Sequence, residues 1–298
     1  MFIHVCTVFN SCLHAYLRYM KRTTHRPLPS GKMSIQQAGL LGVLTGLSGT
    51  SLLLLCTNPV VAMLGAGNII LYSGIYTYSK RYTEWNTWIG ALVGAVPPLM
   101  GWSAATGGDL LSAEPMILAS ILFLWQFPHF FALSWMHRED YSRGQFQMVS
   151  CNDPAGTRTS RVILEYSTYL AALPIMTSIS GHTSYMFAFE GLCMNAYLLY
   201  LCSKFHRDRT NANARRVFLC SLWYLPLLLT CFIFHSSVWD SADIEDTLNI
   251  DEVVYACDIS YLSMTLQLWL HYMMIMMMIK LFDFSLYLCC CCCSWRGQ

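Results

Sequence analysis

Residues 113–144 read AEPMILASILFLWQFPHFFALSWMHREDYSRG. Up to Met136 the stretch is apolar, with Glu114 its only charge. It then turns abruptly into Arg138, Glu139, Asp140 and Arg143. A bilayer-spanning helix needs about 20 mostly apolar residues, and 113–136 supplies them. Outward from this stretch the same pattern recurs. Apolar runs lie near 34–57, 59–78, 86–105, 162–181, 184–203 and 216–236. An eighth covers roughly 261–293, and a shorter one, 1–17, is marginal as a span. Open sheets cannot sit in lipid because their edge N–H and C=O groups would lack partners. The reading is an all-α integral membrane protein, a multi-helix transmembrane bundle of about seven to eight spans. Composition agrees: of 298 residues only 12% are charged and 55% are apolar, against roughly 25% charged in soluble chains. Mean hydropathy is +0.42. Gly39, Gly42, Gly46 and Gly49 recur at helical spacing, which predicts a face where helices approach closely.

Charge sets the orientation. Sixteen of the 18 Lys and Arg fall in four stretches: 18–32, 80–81, 138–161 and 204–216. The connections between them, near Asn58-Pro59, 106–112 and 180–184, carry none. That alternation is the positive-inside pattern of a single topology. The formal net charge of +1 hides it. The basic residues flank spans, so the expected environment is the lipid bilayer and no nucleic acid is expected.

The chemistry-bearing residues gather on the same side. Residues 20–31 read MKRTTHRPLPSG, 76–86 read YTYSKRYTEWN, and 138–144 read REDYSRG. Topology alone accounts for their cations. Together, however, they also offer a carboxylate pair, hydroxyls and amides, the set that a diphosphate with Mg²⁺ requires. Magnesium takes one or two carboxylates and shares phosphate oxygens, while Arg and Lys neutralise a departing diphosphate.

These segments carry a resemblance. MKRTTHRPLPSG, YTYSKRYTEWNTWIGALVGAVPPLMGW, LWQFPHFFALSW, HREDYSRG and RRVFLCSLWYLPLLL occur in the order found in the protoheme IX farnesyltransferases (heme O synthases). The chain resembles the mitochondrial type of that group, within the UbiA-type intramembrane prenyltransferases, from residue 20 to about 235. The resemblance implies nine helices in a ring around a lipid-open cavity. It implies transfer of a farnesyl group from farnesyl diphosphate to a vinyl carbon of protoheme IX (heme B). The product, heme O, precedes heme A, so heme A pathway enzymes are candidate partners. Mg²⁺ is the implied cofactor, and the implied location is the mitochondrial inner membrane with the active-site loops on the matrix side.

Residue by residue, Asp140 matches the second Asp-rich motif as a Mg²⁺ ligand, with Glu139 a second candidate. Lys80 and Arg81 match the diphosphate-binding cations, and Asn86 the polar support beside them. Arg22 and Arg26 match the tail of the first motif. Arg138 and Tyr141 flank Asp140 as further substrate contacts. His129, after Pro128, is a candidate heme contact, since imidazole binds iron; a His there also suits a carbonyl freed by a proline kink. Tyr76, Tyr78 and Trp102 could shape the cavity or anchor the interface.

The chain departs from the family in two places. The first Asp-rich motif is missing: its positions hold Phe9, Leu13, Ala15 and Leu17, and no Asp or Glu precedes Glu84. Residues 237–298 do not match either. They comprise an acidic segment, 240–258, and a Met- and Cys-rich apolar tail with the run Cys289–Cys293. The organisation expected is an atypical segment at 1–19, a prenyltransferase domain at 20–236 and an unrelated tail at 237–298. Two other classes stay open. A non-catalytic form would keep the fold without the first motif. A transporter would show inverted repeats and midmembrane polar residues, and neither is evident.

Overall fold

Helix starts in this chain are written in its caps. The structure, a computed structural model, describes residues 27–236. The atypical 1–19 segment, Arg22, Arg26 and everything expected of 237–298 lie outside the described residues. Ser34 opens α1 (Ile35–Cys56) with a reciprocal capping box. Its hydroxyl accepts from Gln37 N at 3.2 Å, and the Gln37 amide accepts from Ser34 N at 3.0 Å. Two orphan N–H groups of the first turn are thereby satisfied. Asn58 caps α2 by its side chain alone, accepting from Val61 N at 3.0 Å, with Pro59 at the first helical position.

Seven helices among the described residues are long and apolar enough to cross a membrane. They are α1, α2 (Pro59–Tyr82), α3 (Asn86–Ala105), α4 (Ala113–Met136), α6 (Thr157–Ile179), α7 (Tyr185–Arg207) and α8 (Asn211–His235). The short α5 (Arg138–Arg143) follows α4. All seven expected spans are present. Four of them run further than their apolar stretches, because α2 reaches Tyr82, α6 begins at Thr157, α7 reaches Arg207 and α8 begins at Asn211. Arg158, Arg161, Arg215 and Arg216, read from sequence as loop residues, therefore sit in the first two helical turns. Caps and polar helix formers extend a helix into water, where hydropathy no longer reports it.

The helices pack in succession: α1 chiefly on α2, α2 on α3, and α3 on α4. Then α4, α6, α7 and α8 pack around one another. Within lipid the packing relies on close approach and on hydrogen bonds between helices. Ala38, Gly42 and Gly49 form the buried line of α1. Of the expected glycine stripe, Gly42 and Gly49 lie on this line, while Gly39 lies off it with open space where a Cβ would be. Tyr224 donates to Asn195 Oδ1 at 2.6 Å, and Trp125 Nε1 to the Ser221 carbonyl at 2.7 Å. Prolines inside α3, α4, α6 and α8 each free the carbonyl four residues before them, and a neighbouring helix can cover it. Asn68 of α2 does so in α3, donating at 3.2 Å to Val93 O, four residues before Pro97.

Candidate functional site at the basic end of the bundle

Both ends of the bundle are knit by contacts between non-adjacent elements. At the end free of Lys and Arg, Asn58 Nδ2 donates to Ser103 O at 2.7 Å, and His182 stands 3.9 Å from Glu114. Every Lys and Arg among residues 27–236 lies at the other end, with Asn86 and Asp140 beside them.

The last turn of α2 carries Lys80 and Arg81. One π-helical segment, Leu71–Tyr76, precedes it. The Lys80 ammonium lies 4.2 Å from the Tyr76 ring centroid and 5.6 Å from that of Tyr72. Such cation–π contacts hold a cation without neutralising it. Gly90 of α3 makes room for the ring, since a Cβ there would stand 2.8 Å from Tyr76 Cε2.

Asp140 lies in α5 and is 9% exposed. Arg143 Nη2 stands 3.1 Å from its Oδ1, out of hydrogen-bond alignment, so that buried oxygen makes no hydrogen bond. That oxygen is charge-paired with Arg143 but keeps its lone pairs open to a further partner. Glu139 beside it is exposed. Tyr141 is half-buried, edge-on to Phe146 at 6.1 Å. Arg138 turns away from this group. It lies 4.3 Å over the Trp135 ring and donates to Trp135 O at 3.0 Å and Asn211 Oδ1 at 3.1 Å, bracing α4 against α8.

After α5 the chain reverses at Gln145, whose φ of 55° is in the left-handed region. Phe146 N then donates to Tyr141 O at 3.0 Å, and Gln147 N to Lys80 O at 2.8 Å. Asn86 is 1% exposed, and its amide donates to Thr83 O at 2.7 Å and Gln147 O at 2.5 Å. Glu84 accepts from Asn152 Nδ2 at 2.8 Å and pairs with the Arg158 guanidinium. The segment carrying Asp140 is thus bonded to the helix end carrying Lys80 and Arg81. Asn86 provides part of that bond, holding two carbonyls.

Sequence reading missed Glu84, Gln147, Asn152, Asp153 and Arg158. Only Asp153 carried a signal. Its carboxylate accepts from Thr159 N at 2.8 Å and Thr157 N at 3.1 Å, and Asp-Pro followed by Thr is a helix-start pattern. The separation of 74 positions between Glu84 and Arg158 leaves no local trace of their pairing.

One side of this end is aromatic. Trp88 Nε1 donates to Tyr166 OH at 2.7 Å, and Tyr166 stacks on Phe127 at 3.7 Å. His129 is fully buried deeper in α4. Its Nδ1 lies 2.9 Å from Ser221 Oγ, and its ring stacks on Trp125 at 4.7 Å and tilts against Phe218 at 4.8 Å. Among the described residues no three His, Cys, Asp or Glu side chains converge as a metal site. A magnesium ion held mostly by substrate phosphates needs one or two protein carboxylates. Asp140, with an oxygen free of hydrogen bonds and Glu139 adjacent, fits that smaller demand.

Comparisons with known proteins bear on this arrangement. The UbiA prenyltransferase family matches residues 18–243. The chain is 45% identical over 210 residues to the mitochondrial protoheme IX farnesyltransferase of Homo sapiens, covering 70% of this chain and 46% of that protein. It is 40% identical over 216 residues to that of Arabidopsis thaliana, covering 72% and 50%. A protoheme IX farnesyltransferase of Solibacter usitatus is 38% identical over 209 residues, covering 70% and 71%. This chain spans about half the length of the mitochondrial relatives it matches. A solved structure from work on digeranylgeranylglyceryl phosphate synthase superposes with a TM-score of 0.62 at 16% identity, covering 78% of this chain and 81% of that one. That likeness concerns the fold.

Proposed function

Because this chain belongs to the UbiA prenyltransferase family, we propose that it transfers a farnesyl group from farnesyl diphosphate to protoheme IX, giving heme O. The observation carrying this reading is the buried Asp140 oxygen, without a hydrogen bond, in a segment bonded to the helix end of Lys80 and Arg81. Such a constellation is suited to a diphosphate. Asp140, with Glu139 beside it, would hold Mg²⁺, which when bound offsets charge on the diphosphate. Lys80 and Arg81 attract the same oxygens. As the allylic C–O bond breaks, its electron pair passes to the diphosphate, and these cations stabilise the developing charge. The vinyl π electrons then bond its terminal carbon to farnesyl C1, and the cation left on the neighbouring carbon takes up water and releases a proton, giving the hydroxyalkyl side chain of the product. An apolar, aromatic surround such as Trp88, Phe127 and Tyr166 keeps water from the farnesyl cation until that C–C bond has formed. Arg138 braces α4 and α8 and is not needed as a substrate contact. We give His129 the same bracing role through Ser221, since its burial leaves no face open to heme.

The relatives' names and the basic-end topology support a mitochondrial membrane, with the basic loops on the matrix side of the inner membrane. Protoheme IX and farnesyl diphosphate are the proposed partners, and Arg22 and Arg26 would add to the diphosphate contacts. Expression in cells lacking heme O synthase, with heme O measured by mass, tests the reading. Product that disappears in Asp140→Ala supports it. One observation favours a second reading, a form that binds without turnover: no Asp or Glu precedes Glu84, where the family places its first Asp-rich motif. That form would retain farnesyl diphosphate while making no heme O.

A further inference from the structure

Glu84 is the first carboxylate in the chain, and its contacts cross from one loop to another. It follows α2, two residues before Asn86. Its Oε1 accepts from Asn152 Nδ2 at 2.8 Å, and its Oε2 faces the Arg158 guanidinium in the first turn of α6. Asn152 Nδ2 also reaches Gln147 Oε1 at 3.3 Å. Gln147 is the residue whose main chain bonds both Lys80 O and the Asn86 amide. Three ties therefore join the end of α2 to the chain that follows Asp140. Only the Glu84 tie is ionic and lies at the outer rim, where the Glu84 side chain is 23% exposed and that of Arg158 58%.

We infer that Glu84 is a positioning residue. By clamping Asn152 and Arg158 it holds the Asp140 segment against the Lys80–Arg81 helix end, and so fixes the spacing on which diphosphate binding depends. This rests on the reading of that end as a diphosphate site. Glu84 itself need not touch the substrate. The Asp140 segment leaves α5 through the left-handed Gln145 and is then held by neutral bonds, from Gln147 N to Lys80 O, from Asn86 to Gln147 O and from Cys151 Sγ to Arg138 O, to which Glu84 adds the ionic one. A clamp of this kind acts on substrate affinity. Once diphosphate is seated between the two segments, the substrate itself bridges them, and the chemical step no longer depends on Glu84.

The test uses the full chain in liposomes, with Mg²⁺, farnesyl diphosphate and protoheme IX. The variants are Glu84→Gln, Arg158→Gln and the exchange Glu84→Arg with Arg158→Glu. Each single variant is expected to raise the KM for farnesyl diphosphate roughly fivefold, the size of one partly exposed ion pair, with kcat within about twofold. Alkylation of Cys151, followed peptide by peptide, should quicken in the single variants without substrate, because that residue reports on the same loop. The exchange should restore both readouts. An unchanged KM overturns the assignment, whether or not Cys151 becomes more reactive, and so does a fall confined to kcat. Failure of the unsubstituted chain to bind farnesyl diphosphate would instead sink the diphosphate reading beneath it.

Discussion

Asp140 and Asn86 are both buried polar side chains at the basic end, and they do different work. Asn86 spends its amide on two carbonyls, Thr83 O and Gln147 O. Asn86→Ala would strand them, at a cost of about 1–3 kcal/mol for a buried group. The expected outcome is a lower unfolding temperature in detergent, with activity falling alongside it. Asp140→Asn keeps the shape and removes the charge. It should leave the unfolding temperature nearly unchanged while heme O formation drops at least about a hundredfold, the scale of losing one charge-stabilising group. Both residues stood out in the sequence as polar positions in a loop, but only the bond to Gln147 separates the brace from the candidate ligand. Cys151 gives a pH-dependent check on the same loop. Burial pushes its thiol above the ordinary range. The thiolate is the reactive form, so alkylation should stay slow through neutral pH and climb only above the usual cysteine pKa of about 8.5. A rate already at its plateau near pH 8 would contradict the burial.

At the scale of elements, apolar length located all seven described spans, because bilayer thickness imposes it. It did not locate where helices enter water. Lys204–Arg207 and Arg215–Arg216 are helical through local propensity and the Thr210 cap, which accepts from Asn213 N at 3.3 Å. Nor did it reveal the π-helical segment in α2, whose side chains resemble those of any other span. Two elements make checkable demands. Gln145 holds a left-handed φ of 55° at the reversal after α5. An L-residue there costs about 1 kcal/mol, which glycine escapes. Gln145→Gly should therefore match or exceed the parent in thermal stability, whereas the β-branched Gln145→Val should fall below it. In α3, Gly94 lies directly under the Gln126 amide, which donates to Ala91 O at 3.0 Å and Leu122 O at 3.0 Å. Gly94→Ala displaces that amide from the α3–α4 seam. A loss of about 1–3 kcal/mol is expected, readable as a drop in unfolding temperature.

At the scale of the whole molecule, sidedness decides whether the two halves of the site can work together. A formal charge of +1 over 298 residues suggests an even surface, yet between residues 27 and 236 all Lys and Arg sit at one end. The sequence disclosed this because a helical span must alternate sides, so loops identify their side by charge. Contacts that join α2 to the chain after α5 at one end, and α2 to α3 at the other, agree with that alternation. Ser142 lies at the basic end and Thr106 at the opposite one, both exposed. In mitoplasts, where the matrix is sealed, a membrane-impermeant maleimide should label Thr106→Cys directly. It should reach Ser142→Cys only after permeabilisation, with each site followed by peptide mass. Labelling of both from the same side would mean that α4, the one span between them, fails to cross. Lys80 and Asp140 would then face different compartments, and no single diphosphate could engage both. Opposite labelling keeps the two halves of the proposed site on one side, which its chemistry requires.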